Sequence, residues 1–511
     1  MRMKKISLIL VTIISISMLS GCGASKKASV SDEDKTITIM APLMVESPPK
    51  EDSEILKTLE EKTGYKVNIN WVPNVSYGDK LSVIMASDDC PEMIMANKEA
   101  VIINAVKNGA MWKLDDYLDD YENLKKANKE TMLNASFNYE TYGIYRTRDV
   151  ARFATIIRKD WLDKLGLKEP ETLDEFTAML KAFRDDDPDG NGKNDTYGMI
   201  IPKWGGINSN SPLDQMAIWF GAPNAMKIEN GKITPDFMTD EYMVSLDYFK
   251  MLYDEKLMNS DFALKETSKW DDDFISGKAG VIVDTQTRAF NISKTIANNN
   301  GRTDENGDQW VTMIDNVVTP TGGDKVLPTP GYSGLYMIPK QSVKDEKQLR
   351  KVLDFLNKIN SEELTILLQR GIEGKQYEIK ENGYANIITG NEYVDKTNTN
   401  DLNSFWQISP NVANYDLHKE DKGTNLEKIG KKLLEDGNKK IVPNETTPLI
   451  SDVYATKGIQ LTNIIGDARI KYIAGQIDKE GYKAAINQWL NTGGKEYLDE
   501  LETLYTKYLK K

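Results

Sequence analysis

The sequence predicts an α/β protein divided into two or three lobes. Two period-two apolar runs and one short buried run alternate with helix-type spacing between residues 36 and 96. The chain has 511 residues, beyond what a single hydrophobic core usually organises. Its 40% hydrophobic and 28% charged content suits packed cores in water rather than a disordered chain.

The first strand is Thr36 to Met40, where Ile37 and Ile39 alternate with polar neighbours. Ile55, Leu56 and Leu59 mark one face of a helix that ends near Gly64. Tyr65, Val67, Ile69 and Trp71 alternate again as a half-buried strand. Leu81, Ile84 and Met85 mark a second helix, and Met93 to Met95 a short buried strand after Pro91. This β-α-β-α-β order implies a parallel sheet with helices on its faces. Helices are then expected over Trp161 to Leu165 and Leu173 to Phe183, the second capped by Thr172 with Glu175 completing a capping box. Tyr242, Leu246, Phe249 and Tyr253 follow 4, 3, 4 spacing and predict an amphipathic helix. Ala279 to Val283 reads as a buried strand, and Leu349, Val352, Leu353 and Leu356 line another helix. Near the end, Ile473 to Leu490 carries helical apolar positions before a Gly493-Gly494 break and a final helix.

Composition removes several function classes. A net charge of −13 opposes nucleic acid as a partner, because a polyanion is bound by a basic surface. The single histidine, His418, leaves no His-based metal site and no Ser-His-Asp triad. No catalytic constellation stands out. Cys22 and Cys90 could form at most one disulfide.

The first residues address the compartment. Arg2, Lys4 and Lys5 precede an apolar run from Ile6 to Leu19, of signal-peptide length and short for a membrane span. Leu19-Ser20-Gly21-Cys22 resembles the lipobox of bacterial lipoproteins, in which the cysteine is acylated and the chain is cut just before it. Residues 1–21 are then a signal peptide, Cys22 the lipidation site, and 22–35 a flexible tether rich in Ser, Lys and Asp. Several acyl chains would hold the protein on a membrane. Cys90 would remain as a lone thiol. No later apolar run approaches 18 residues, so contact with the membrane is expected through the anchor only.

Asp187, Asp189 and Asn191 are spaced by two, with Gly192, Lys193 and Asp195 following. A calcium loop needs hard oxygen ligands at positions 1, 3, 5 and 9, glycine at 6 and a backbone carbonyl at 7, and these slots fall on those residues. Position 12 is Gly198, so the bidentate glutamate of a full EF-hand is missing, and Thr196 or water would complete the shell. A structural Ca²⁺ is one reading; a solvated Asp/Asn/Gly turn is the other. Asp304, Asn306 and Asp308 read as a turn.

The order Ile157-Arg158-Lys159-Asp160-Trp161-Leu162, Pro170, Thr172, Phe176 and then the Asp-rich loop resembles extracellular solute-binding proteins of bacterial ABC importers, family 1, in their long, sugar-binding lipoprotein branch. Phe220-Gly221-Ala222-Pro223-Asn224, Gly371-Ile372-Glu373-Gly374-Lys375 and the segment from Trp489 to Gly494 agree with it. The resemblance implies two α/β lobes with a ligand cleft between them, placed at 36–155 with 283–345 and at 156–282 with 346–511. It implies a non-catalytic, monomeric receptor that hands a carbohydrate, an oligosaccharide in this branch, to two membrane permease subunits served by a cytoplasmic ATPase. It also implies calcium at Asp187, Asp189, Asn191, Lys193 and Asp195, with Thr196 a departure where an acidic ligand can stand.

Sugars present apolar C–H faces and a rim of hydroxyls, so aromatic side chains in polar, loop-like contexts are the expected ligand contacts. Trp204 in Pro202-Lys203-Trp204-Gly205-Gly206, Trp270 before Asp271-Asp272-Asp273, Tyr332 between Gly331 and Ser333, and Phe405 with Trp406 meet that description. Arg288 and Arg370 are weaker charged possibilities, whereas Tyr242, Tyr253 and Trp489 sit at helical spacing and are expected in cores. An anchored glycoside hydrolase using paired carboxylates, a peptide or amino-acid receptor, and a sensory accessory protein remain as alternatives. The excess of Lys over Arg, 54 to 11, together with a lipid anchor, points to the outer face of a Gram-positive cell membrane.

Overall fold

The computed structural model describes residues 35–509 except 88, 205, 301–309, 380–384, 389–399 and 416–424. Cys22 with its signal and most of the tether, His418, and the turn at Asp304, Asn306 and Asp308 lie outside the described residues.

β1 (Thr36–Leu43) buries almost its whole length and pairs in parallel with β2 (Lys66–Pro73), in register from Thr36 opposite Lys66 to Leu43 opposite Pro73. The helix between them, Glu54–Thr63, turns Ile55 and Leu59 inward. It stops at Gly64, which takes the left-handed conformation at φ 73° and returns its N–H to Glu60. β3 (Met93–Ala96) is buried at all four positions and joins the other side of β1. Two strands from much later or further along complete this sheet: β4 (Gly143–Thr147), and β11, described below.

The chain then crosses to a second sheet. β5 (Phe153–Arg158) follows β4 after only five residues, and β6 (Tyr197–Met199) comes after the helices Lys159–Leu165 and Leu173–Asp185. The capping box is present: the Thr172 hydroxyl accepts from the Glu175 N–H at 3.3 Å, and the Glu175 carboxylate accepts from the Thr172 N–H at 3.1 Å. A hairpin of β7 (Met226–Glu229) and β8 (Lys232–Pro235) stands apart. β9 (Ala279–Thr285) and β10 (Val311–Ile314) finish the second sheet, whose order is β10-β5-β9-β6. β11 (Tyr332–Met337) returns to the first sheet, giving the order β2-β1-β3-β11-β4, antiparallel to both of its neighbours. The first sheet is therefore mixed, parallel only where the β-α-β-α-β pattern built it.

Each sheet organises its own core. In the second lobe both faces are covered, with Val281 and Val283 packing on one side and Ile282 on the other. That explains why β9 reads as a continuous apolar run. Gly280 is required there: a Cβ would sit 2.2 Å from the Phe183 ring and 3.0 Å from Trp161.

The packing departs from the lobe assignment by sequence in both directions, and Phe405, Ile408 and Val412 also join the first core. Leu349, Val352, Leu353 and Leu356, on the helix Glu346–Ile359, pack into the core of the first sheet. The helix Gln286–Asn299 and β10 pack into the second. Both follow from β11: once the chain recrosses at residues 315–331, the next helix covers the sheet that β11 has joined. Among the described residues no helix is long and apolar enough to cross a membrane, and Cys90 is a buried free thiol.

Candidate functional site between the lobes

The crossover segments 148–152 and 327–331 form the floor between the lobes, and two adjoining cavities open on them. The larger, about 630 Å³, runs under the helix Lys129–Ala135 and the turn at 443–447. The smaller, about 450 Å³, lies at the carboxyl ends of β3, β6 and β9 and the start of β11, with Asn97, Trp204, Asp284, Thr285 and Tyr332 in its wall. Arg148, Asn210, Thr329 and Pro330 line both. A concave space at strand ends, with aromatic rings beside amides, hydroxyls and charges, suits a polar organic ligand held by both lobes.

Trp204 and Tyr332 face each other's lobe across the smaller cavity and both are half-buried. Trp204 is held edge-on by Trp270, with ring centroids 5.7 Å apart and planes at 74°. Among the described residues no hydrogen bond occupies the Tyr332 hydroxyl, and burial pushes it up to about 12, so it stands in the wall as a neutral donor and acceptor.

Trp270 itself is not in the wall. It is fully buried, its indole N–H donates to the Ile200 carbonyl at 3.2 Å, and the Arg288 guanidinium lies 4.3 Å from its ring. The acidic run after it suggested a loop, yet Asp271 pairs with Arg288 at 2.5 Å and Asp273 pairs with Lys265 and accepts from the Tyr197 hydroxyl. Those charges anchor the helix Trp270–Ile275 and leave the indole inside. Phe405 is likewise a core residue of the first lobe, 1% exposed and edge-on to Trp71. Its neighbour Trp406 is 41% exposed but lines neither cavity. Adjacent residues of a single turn point opposite ways, so one ring went into the core and the other to solvent. Tyr242 and Trp489 are core residues, and Tyr253 is half-buried.

Sequence reasoning missed Arg148, Arg152 and Asn97. The signal for the arginines was present: Arg146-Thr147-Arg148-Asp149-Val150-Ala151-Arg152 joins two strands and holds three of only 11 arginines.

The Asp-rich loop lies away from the cleft, between the helix Leu173–Asp185 and β6. The Asp187 carboxylate accepts the N–H groups of Gly190, Asn191 and Gly192 at 3.0–3.1 Å. The Asp189 and Asp195 carboxylates converge on the Asn191 side-chain amide, at 2.6 and 3.0 Å. The donor set is hard oxygen, as calcium requires, and the amide nitrogen sits where a cation would meet both carboxylates. Among the described residues no three acidic, His or Cys side chains are grouped closely enough to hold a metal. The Thr196 hydroxyl is buried and donates to the Phe183 carbonyl of the preceding helix at 2.8 Å. The Asn191 side-chain oxygen accepts the Lys193 N–H at 2.8 Å, so a cation between the carboxylates would require that amide to rotate and give up this bond.

Residues 45–363 match the family model of bacterial extracellular solute-binding proteins. The chain is 44% identical over 490 residues to lipoprotein LipO of Bacillus subtilis (strain 168), covering 96% of each. It is 31% identical over 509 residues to the polygalacturonan/rhamnogalacturonan-binding protein YtcQ of the same organism, covering 98% of each. Among solved structures, an HMO-binding, ABC-transporter-associated solute-binding protein from Bifidobacterium longum infantis ATCC 15697 has the same fold. It superposes with a TM-score of 0.70 at 19% identity, over 93% of this chain and 99% of that one.

Proposed function

The chain belongs to the bacterial extracellular solute-binding protein family, and on that premise we propose that it is a cell-surface lipoprotein that captures an oligosaccharide and delivers it unaltered to an ABC importer. The observation that carries this reading is the cavity shared by both lobes, in which Trp204 from one and Tyr332 from the other are set among amides and hydroxyls. A ligand touching both lobes favours the closed arrangement by the contacts it gains there, and two permease subunits with their cytoplasmic ATPase would read that closure. The carbohydrate ligand of a 31%-identical relative supports the ligand class. Anchoring through Cys22 is supported by a relative that is itself a lipoprotein. Cys22→Ala is expected to move the protein out of the membrane fraction, and unchanged fractionation would remove the anchor from the reading. Calorimetric titration of the purified monomer with an oligosaccharide panel tests the rest. Saturable binding with recovery of intact ligand is expected; chain cleavage would mean a hydrolase.

Calcium at Asp187, Asp189, Asn191, the Lys193 carbonyl and Asp195 is part of the proposal, in a structural role that ties a helix end to β6. It would neutralise three carboxylates that otherwise repel one another. Calcium at a hundred times its Kd would stabilise the fold by about 2.7 kcal/mol. Melting with calcium and with chelator measures this, and identical melting temperatures would remove the ion from the proposal.

A further inference from the structure

Among the described residues Arg158 pairs with Asp160, Arg184 with Asp185, Arg288 with Asp284 and Asp271, Arg350 with Asp120 and Glu346, and Arg469 with Asp214. Arg146 near the end of β4, and Arg148 and Arg152 on the crossover to β5, differ from these. Among the described residues no carboxylate lies within ion-pair distance of Arg146, Arg148 or Arg152. Arg146 donates only to the Ser333 carbonyl, at 3.3 Å, and its Nε is buried without a partner. In a chain with 13 more acids than bases, leaving three neighbouring guanidinium groups uncompensated is unfavourable in the free protein. Partial burial, and then the like charges of Arg152 and Arg146, draw the Arg148 guanidinium down to about 10.

The cavity's own acids do not cancel this charge. Asp284, in the same wall, is taken by Arg288 at 2.5 Å. In the larger cavity Asp214 is taken by Arg469 at 2.6 Å, and burial raises the Asp236 carboxyl well above the usual range. Asp149 lies close enough to feel Arg152 but forms no ion pair with it. Glu130 faces the larger cavity, not the one that holds Trp204 and Tyr332. Arg148 and Arg152 therefore present positive charge to the smaller cavity beside two aromatic rings.

We infer that the ligand is an acidic saccharide, and that Arg148 and Arg152 bind a uronate carboxylate while Trp204 and Tyr332 take the sugar faces. The planar fork of a guanidinium matches a carboxylate in two parallel hydrogen bonds, which a neutral sugar cannot reproduce. The inference rests on the oligosaccharide reading and narrows it. A phosphate or sulfate would also answer the charge, but the paired rings favour a carboxylate carried on a sugar ring.

The test is titration of the full folded protein with linear tetrasaccharides of galacturonate, mannuronate and guluronate, each alongside its methyl ester, and with neutral tetrasaccharides. At least one acidic tetramer is expected to bind tenfold or more tightly than its ester, and to weaken as salt is raised. Arg152→Gln is expected to lower affinity for the acid tenfold or more and to narrow its advantage over the ester. Arg152→Lys, which keeps the charge but not the fork, should fall between. Unfolding curves of both variants separate lost binding from lost structure. Equal binding of acid and ester, or binding of neutral tetramers alone, overturns the acidic ligand and leaves the oligosaccharide reading standing. Binding of no saccharide by the folded protein overturns both.

Discussion

Replacing Arg469 by methionine is expected to destabilise the protein by about 3–5 kcal/mol, the range for removing one partner of a buried ion pair. Arg469 is 1% exposed on the helix Asp452–Ile473. Its guanidinium donates to Asp214 at 2.6 Å, to the Gly206 carbonyl at 2.5 Å and to the Tyr242 hydroxyl at 3.3 Å. Asp214 is 6% exposed and cannot reach water instead. Its other oxygen accepts from Ser209 and Ser211 and so caps the helix Pro212–Trp219. Without Arg469 that carboxylate, and Asp236 nearby, would be buried with no cation. The Arg469→Met, Asp214→Asn double variant should lose less than Arg469→Met alone, because the stranded charge is gone. Urea unfolding of the three proteins measures this. A single-variant loss under about 1 kcal/mol, the value of an exposed pair, would contradict it.

The same contact explains how distant parts of the chain build the cavity. Arg469 holds the carbonyl of Gly206, two residues past Trp204. Gly466, one turn earlier on its helix, lets that loop approach: a Cβ there would stand 3.1 Å from the Gly206 Cα. A residue near the C-terminus thus helps position a cleft residue more than 250 positions earlier in sequence.

Local patterns in the sequence carried the elements they control. The capping box at Thr172 and Glu175, the stop at Gly64 and the apolar stripe of the helix Glu346–Ile359 depend on neighbours within a few residues. Periodicity records that a stripe is buried but not which sheet buries it, so Leu349 to Leu356 were legible as core and not as first-lobe core. The reach of β11 back to β3 had no local sign, because an antiparallel insertion more than 230 residues later depends on the crossovers. Among the aromatic residues, polar neighbours were an ambiguous signal. Around Trp204 they mark a wall of the cavity; around Trp270 they are ion pairs that roof a buried ring. The Asp187 to Asp195 spacing carries a calcium-loop pattern, whereas the carboxylate-to-backbone hydrogen bonds that hold the turn, and the inward hydroxyl of Thr196, became visible only in the fold.

Trp204→Ala is expected to cost about 2–3 kcal/mol of ligand binding, roughly 30- to 150-fold in Kd, with little loss of stability. Trp204 and Trp270 make the comparison informative because they touch each other yet differ in burial. Trp270 is enclosed and anchored by Ile200 and Arg288, so truncating it leaves a cavity and should cost about 3–5 kcal/mol of folding free energy. Trp204 packs partly on the core around Trp270 and also lines the cleft, so its removal takes away a surface on which a sugar face could lie. The two variants should therefore separate: Trp270→Ala lowers the unfolding midpoint, while Trp204→Ala keeps the midpoint and loses the oligosaccharide. Titration and melting of both proteins decide it. If Trp204→Ala bound the ligand with unchanged affinity, the indole would be a lid on the second core rather than part of the site. Recognition would then rest on Tyr332, the crossover arginines and the amides around them.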